Sequence, residues 1–259
     1  MPVKGNKSGS RLLAVLECIA RHQPIGVSQL ARLMKTDKST VQRAIMTLVD
    51  GGWVHAALGT PTRWQLTGHI LHVAHLAHGS SGLCQRARPA LEALRDASGE
   101  TVCLAVPDIE GFVLIEVVQS RQLLRMVPYV GIVIPAGETA TGRAFLPYLP
   151  PSQQTKLLGR AVDAQLAMTF DMALRLGYAV SEDERAGGSI NVAAPIFELD
   201  GQPTGAVVLC APKERLPPEQ YARAGAMVLQ TARQLSLALP RDAHQAEAPR
   251  ERSAQPNML

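Results

Sequence analysis

The sequence predicts an α+β chain in two parts, a small N-terminal winged helix-turn-helix and a larger domain of antiparallel strands and helices, with a linker helix between them. Three observations predict it. Residues 1–66 carry nine Lys or Arg against three acids, a net of +6, whereas the remainder carries seventeen against nineteen, a net of −2. The first part runs helix, short helix, turn, helix, hairpin, which is the winged helix-turn-helix order. The second part mixes hairpins with helices, the pattern of an α+β domain. A length of 259 residues accommodates two domains, and 46% hydrophobic against 19% charged residues supplies apolar matter for their cores.

The elements follow in chain order. Residues 1–9 are rich in Gly, Ser and Lys and are expected to be loose. Ser10 can cap a first helix, with Leu12, Leu13, Leu16, Ile19 and Ala20 at helical spacing, and the stretch 22–26 breaks it. Ser28 can cap a short helix over 29–34. After a tight turn at 35–37, Asp37 can cap a third helix over 38–49, because its carboxylate accepts an orphan N–H of the first turn. Gly51 and Gly52 end that helix, and strands at 53–57 and 63–66 form a hairpin with a projecting tip. Thr67 can cap a linker helix over 68–77, with a break at 79–82. Beyond it, helices are expected at 89–97, 140–149, 152–158, 168–176 and from 217 to about 239. Strands are expected at 101–106, 112–118, 123–127, 178–180, 190–197 and 204–210. The domain limits are thus 8–66 for the winged helix-turn-helix, 67–82 for the linker helix and 83–240 for the larger domain. Residues 241–259 are polar and expected to be disordered.

Several function classes are set aside. No apolar run reaches the roughly 18 residues that span a bilayer, and residues 1–10 lack a signal-peptide core, so a cytoplasmic chain with no membrane partner is expected. Cys18, Cys84, Cys103 and Cys210 are far apart and fit buried thiols better than a disulfide frame or a zinc site. His69, His72, His75 and His78 recur every third residue, but each step rotates a helix by about 300°, so four cannot converge on one ion. The pattern reads as a polar helix; a metal shared across a dimer, or a pH response, is the weaker alternative. Glu182, Asp183 and Glu184 read as a solvated acidic turn, and Gly187-Gly188-Ser189 is not a nucleophile elbow, since Asn191 stands where a Gly is needed. No phosphate loop, dinucleotide fingerprint or zinc motif occurs. No catalytic residue, metal or cofactor is therefore assigned, and the chain is not expected to be an enzyme.

The third helix carries the chemistry of the first domain. Its N-terminal end presents Lys38, Ser39, Thr40, Gln42 and Arg43, while Val41, Ile45 and Leu48 face inward. Arg can pair bidentately with guanine, Gln with adenine, and Ser or Thr with phosphates or base edges. Arg63 and the hairpin tip can touch the DNA backbone or minor groove. Double-stranded DNA is the partner these residues favour; a protein-contact role for so small a domain is the alternative, opposed by the cationic face.

A family resemblance follows from an ordered set of motifs. Residues 10–16 (SRLLAVL), 28–31 (SQLA), 38–43 (KSTVQR), Leu48 and 52–54 (GWV) resemble the DNA-binding half of IclR-type transcription regulators. Residues 98–102 (SGETV), 135–146 (PAGETATGRAFL), Gly177-Tyr178, 193–196 (AAPI), Gly201 and Gly205 follow in the same order, so the resemblance covers about residues 8–239. It implies a GAF-like effector-binding domain on an antiparallel sheet with helices. It also implies homodimers or tetramers, an operator in double-stranded DNA, a small-molecule effector of carboxylate type, and RNA polymerase as a further partner.

Carried over by motif, the effector residues are Leu123, Met126, Ile134, Ala140, Thr141, Ser181, Ser189 and Asn191. Thr141, Ser189 and Asn191 supply hydrogen bonds, the start of helix 140–149 supplies N–H groups for a carboxylate, and Leu, Met and Ile cover apolar atoms. Relatives in this family often have an acid where Ser181 stands and another residue, such as Cys, at Asn191. Arg125 and Arg143 are candidate counter-charges, with a surface salt bridge as the plainer role for Arg143. The implied function is a regulator of catabolic genes responsive to a small organic acid, aromatic acids included. The alternatives are a ligand-independent DNA-binding protein and an enzyme with a helix-turn-helix docking module.

Overall fold

The computed structural model of the chain describes residues 6–79, 83–109, 111–183 and 188–238. Contacts divide the chain into two units, Met1–Ser80 and Ser81–Leu259.

In the first unit, helix α1 spans Lys7–His22 and starts earlier than the apolar spacing implies. The reason is Asn6, whose Oδ1 accepts from the N–H of Ser8 at 3.0 Å and of Gly9 at 3.4 Å, so Asn6 is the cap rather than Ser10. Helix α2, Val27–Leu33, has Gly26 at its start and no side-chain cap, so Ser28 lies inside it. Lys35 takes a left-handed φ of 50° in the turn that follows. Helix α3 runs Lys38–Asp50 with Asp37 as its cap, as the sequence predicts. Strands β1 (Val54–Ala56) and β2 (Trp64–Leu66) form the hairpin, with Ala56 opposite Trp64. A third segment joins it: the N–H and C=O of Ile25 both pair with Trp64, at 3.1 and 2.8 Å. Val15, Ile19, Ile25, Leu30, Val41, Ile45, Leu48, Val54 and Trp64 make one apolar core. Helix α4, His69–Gly79, begins where the Thr67 hydroxyl accepts the N–H of His69 at 3.1 Å.

The second unit is built on a six-stranded antiparallel sheet. Its strands are β3 (Thr101–Asp108), β4 (Gly111–Val118), β5 (Val133–Pro135), β6 (Ala179–Asp183), β7 (Ser189–Phe197) and β8 (Pro203–Pro212), in the order β5-β4-β3-β8-β7-β6. Side chains alternate across it. Val102, Leu104, Val192, Ala194, Val207 and Leu209 face helices α5 (Leu83–Ser98) and α9 (Tyr221–Ala238). Cys103, Ala105, Ala193, Val208 and Cys210 face helices α6 (Ala140–Phe145) and α8 (Ala164–Leu176). Helix α7, Pro151–Leu158, precedes α8. Because both faces are covered, the central strands are nearly continuous apolar runs rather than alternating ones.

Four expectations are corrected. No strand forms at 123–127; the third strand is β5, at Val133–Pro135. The carbonyls of Leu124 and Met126 accept from the Arg215 guanidinium and the Thr101 hydroxyl, each at 2.7 Å, so side chains take the place of a neighbouring strand. The helix expected over 140–149 ends at Phe145 and continues as a 3-10 turn, Leu146–Tyr148, because Pro147 has no N–H for the helical ladder. Helix α5 begins at Leu83 and carries Pro89 inside it. Glu182 and Asp183 belong to strand β6, so they are not part of a turn, and Glu182 pairs with Lys213. Residues 80–82, most of the expected break at 79–82, and residues 241–259 lie outside the described residues, as does Glu184.

Candidate DNA-binding face and effector site

The first turns of α3 are organised by Asp37. Its Oδ1 accepts from the Thr40 N–H at 2.8 Å and from the Ser39 hydroxyl at 2.6 Å. These bonds hold the Asp37 carboxyl far below the usual carboxylate range, the Ser39 hydroxyl contributing most. Lys38, Ser39, Gln42 and Arg43 are exposed and Thr40 is half-buried, while Val41, Ile45 and Leu48 anchor the opposite face. Arg43 Nη2 donates to the Thr40 hydroxyl at 3.4 Å, and the Ser39 hydroxyl proton is already committed to Asp37. All five residues thus share the start of one helix. Arg63 lies on a different element: it is exposed at the foot of the hairpin loop, where its carbonyl accepts the Ala57 N–H at 2.8 Å. No hydrogen bond joins it to α3 among the described residues.

The hairpin and α4 are tied to the end of α3. The Thr67 N–H donates to the Trp53 carbonyl at 2.9 Å and its hydroxyl to the Gly52 carbonyl at 2.5 Å. The His69 ring meets Trp53 edge-on at 4.6 Å, with His72 6.2 Å further along. The side chains of His75 and His78 lie outside the described residues. No three His, Cys, Asp or Glu side chains converge on a metal position among the described residues.

In the second unit, five of the eight effector candidates come together. Ser181 and Asn191 are register partners across β6 and β7. The buried Ser181 hydroxyl accepts the Ala140 N–H at 2.8 Å, and Asn191 Nδ2 donates to the buried Ser189 hydroxyl at 3.4 Å. Thr141 follows Ala140 on α6 and is buried. Met126 and Ile134 reach the same face only through the apolar cluster that holds Ala140, Phe145, Cys103 and Cys210. Ile134 is on β5, at the opposite edge of the sheet from Ser181. Leu123 is not part of the group, at 98% exposed.

The start of α6 offers less to an anion than its position implies. The N–H of Ala140 is taken by Ser181, that of Gly142 by the Thr139 hydroxyl at 3.2 Å and that of Arg143 by the Thr139 carbonyl at 3.0 Å. Arg143 itself is not an exposed ion-pair former. It is half-buried, donates from Nη1 to the Val180 carbonyl at 3.3 Å, and has a buried Nε with no acceptor. Arg125 is exposed and donates to the Gln122 carbonyl at 3.2 Å. Cys103 and Cys210 are free buried thiols on this face, and the hydrogen bond that the protonated Cys103 thiol donates to Cys210, with burial second, pushes the Cys103 thiol well up.

Residues 75–237 match the family described as bacterial transcriptional regulator IclR C-terminal, and residues 10–56 match the MarR family. The chain belongs to the IclR family. It is a DNA-binding transcriptional regulator, and the relatives it matches are repressors and regulators of transcription, not enzymes. This IclR-family chain is 31% identical to the acetate operon repressor of Salmonella typhimurium over 252 residues, 92% of each chain. It is 30% identical to the transcriptional repressor IclR of Escherichia coli over 246 residues, 90% of this chain and 89% of that one. The crystal structure of HmgR from Pseudomonas aeruginosa superposes with a TM-score of 0.71 at 25% identity, over 90% of this chain and 99% of that one. An IclR-type regulator from Alicyclobacillus acidocaldarius shares the fold with a TM-score of 0.75 at 20% identity, over 90% of this chain and 99% of that one. No helix among the described residues is long and apolar enough to cross a membrane.

Two supports of these sites escape local sequence patterns. Ile25, inside the stretch assigned only as a break, pairs with Trp64 and so holds the strand that follows Arg63. The one apolar residue between Pro24 and Gly26 was the available signal. Arg215 forms a two-pronged pair with Glu100, both contacts 2.6 Å, and fastens the loop that carries Leu123 and Met126. Nothing in the spacing of residues 115 apart announces it.

Proposed function

We propose that this IclR-family regulator reads its operator with Lys38, Ser39, Thr40, Gln42, Arg43 and Arg63, and that a small organic acid bound in the second unit changes that binding at catabolic promoters. The effector site in this reading is formed by Thr141, Ser181, Ser189 and Asn191 with Ala140, Met126 and Ile134, and Leu123 contributes only from a rim. One observation supports it above the others. Two polar pairs, Asn191–Ser189 and Ser181–Ala140, related by the register pairing of Ser181 with Asn191, lie on a face otherwise apolar, beside a half-buried Arg143 whose Nε has no acceptor. A buried donor left unpaired is costly, and a carboxylate oxygen would satisfy it. The working domains are 8–66 for DNA, 67–82 as linker, 83–240 for the effector and 241–259 as tail. The setting is the cytoplasm, the assembly a homodimer or tetramer reading two half-sites, and RNA polymerase a further partner.

Two measurements test this. In gel shifts with operator DNA, Arg43→Ala should cost about 1–3 kcal/mol and relax specificity at the base it contacts, whereas Lys38→Ala should weaken binding evenly and flatten the salt dependence. Unchanged affinity in both variants would remove α3 from the interface. A thermal-shift screen of aliphatic and aromatic carboxylates should give a hit that Asn191→Leu abolishes; a hit indifferent to Asn191→Leu places the effector elsewhere.

A further inference from the structure

We propose that the cavity between the end of α5 and the loop at 120–122 binds the phosphate group of a phosphorylated small molecule, at a site separate from that of the effector. The cavity measures about 490 Å³ and is lined by Arg95, Asp96, Gly99, Arg121 and Gln122. Small-molecule sites occupy about 300–1,000 Å³, so the size is sufficient. Its walls are fixed to one another. Gly99 closes α5 with a left-handed φ of 76°, and its N–H donates to the Arg95 carbonyl at 2.7 Å. The Gly99 carbonyl accepts the Ser120 hydroxyl at 2.5 Å, and that hydroxyl oxygen accepts the Gln122 N–H at 3.1 Å. The Gln122 amide nitrogen lies over Gly99, 3.8 Å from where a Cβ there would stand. Helix α5 covers the face of the sheet opposite α6, so Arg95 and the Ser181–Ala140 contact belong to different layers.

The guanidiniums name the ligand. The Arg95 side chain is only 13% exposed and is oriented through Nε, which donates to Asp96 Oδ1 at 2.7 Å. Arg121 Nη2 stands 3.7 Å from the same oxygen, on a side chain 77% exposed. One carboxylate therefore serves two cations, and neither Nη of Arg95 has an acceptor among the described residues. Arg125, which donates to the Gln122 carbonyl at 3.2 Å, adds a third cation. The neighbouring acids are engaged elsewhere, Glu92 with Arg88 and Glu100 with Arg215. Cations at a helix C-terminus commonly cap its last carbonyls. Here the Leu94 carbonyl is taken by the Ser98 hydroxyl at 2.7 Å and that of Arg95 by Gly99, so the arginines do not serve as caps. An arginine fork grips two oxygens of a phosphate at once. Two such forks and the Gln122 amide suit the three free oxygens of a phosphate monoester, and the remaining volume admits a sugar-sized body.

The test is a calorimetric titration of the full chain with glucose 6-phosphate, with glucose and sodium sulfate as controls at equal ionic strength. Binding of the ester should saturate with a Kd of about 1 mM or tighter, and glucose should not bind. Arg121→Ala, which removes an exposed side chain whose one ion-pair partner among the described residues is Asp96, should weaken binding about tenfold, and Arg95→Ala likewise. Asp96→Asn should tighten it several-fold, because the carboxylate that competes for both guanidiniums is gone. Arg160→Ala controls for the loss of one positive charge and should change nothing. No saturable binding, indifference to Arg95→Ala and Arg121→Ala, sulfate binding as tightly as the ester, or weaker binding in Asp96→Asn overturns the proposal. So does a loss of operator affinity in the unliganded Arg95→Ala and Arg121→Ala chains, which would assign these arginines to DNA. The carboxylate response that depends on Asn191 should be untouched by all of these changes, so the two sites stand or fail separately.

Discussion

Asp37 shows how much one carboxylate organises at the residue scale. It caps α3, positions Ser39 and Thr40, and stays ionised because two donors converge on it. Its folded pKa is depressed, so its contribution is fully present above the unfolded value near 3.9 and fades only as pH falls below that. The difference in melting temperature between the native chain and Asp37→Asn should therefore be constant from pH 7 to about 5 and shrink in stronger acid. A difference that grew on acidification would contradict the cap. This cap was legible because its donors lie within three residues. The cap of α1 was not, since Asn6 and Ser10 are both good caps and only the N–H geometry selects Asn6. The Ser181 hydroxyl illustrates the other limit. It serves Ala140, 41 residues away, and no local pattern encodes that; its place in the site came from ordered family motifs.

At the scale of elements, long periodic segments were readable and short ones depended on partners. Helix α3 and the paired strands β7 and β8 lie where apolar spacing puts them. The segment 123–127 has strand-like composition yet forms no strand, because Thr101 and Arg215 claim its carbonyls from outside any ladder. Helix α6 shows the same dependence. A Cβ on Gly142 would stand 1.7 Å from the Ala136 carbonyl oxygen, so the helix sits directly on the backbone that leads into it. Gly142→Ala should destabilise the second unit by about 1–3 kcal/mol, as overpacking does, and blunt any carboxylate response while leaving operator affinity of the unliganded chain intact. Chemical denaturation alongside the thermal-shift screen would show both.

For the whole molecule, two units with separate apolar cores imply two unfolding events rather than one. Calorimetry on the full chain should resolve two transitions. Asp37→Asn should move one and Gly142→Ala the other. A carboxylate present at about 100 times its Kd should add about 2.7 kcal/mol to the second alone. Coincident shifts in both would mean that the units are energetically coupled. The charge partition foreshadowed this division, since a basic first part and a near-neutral second part have different partners to meet.

The fastened loop at 121–127 carries one more consequence. Leu123, Leu124 and Tyr129 are exposed and would be ready chymotrypsin sites in a slack segment. A protease, however, needs its substrate locally unfolded, and this stretch is held by the Arg215–Leu124 and Thr101–Met126 bonds. Digestion should therefore be slow in the native chain. In Arg215→Ala it should begin between residues 123 and 130, so that the cleavage rate becomes a direct gauge of how tightly that strap is buckled.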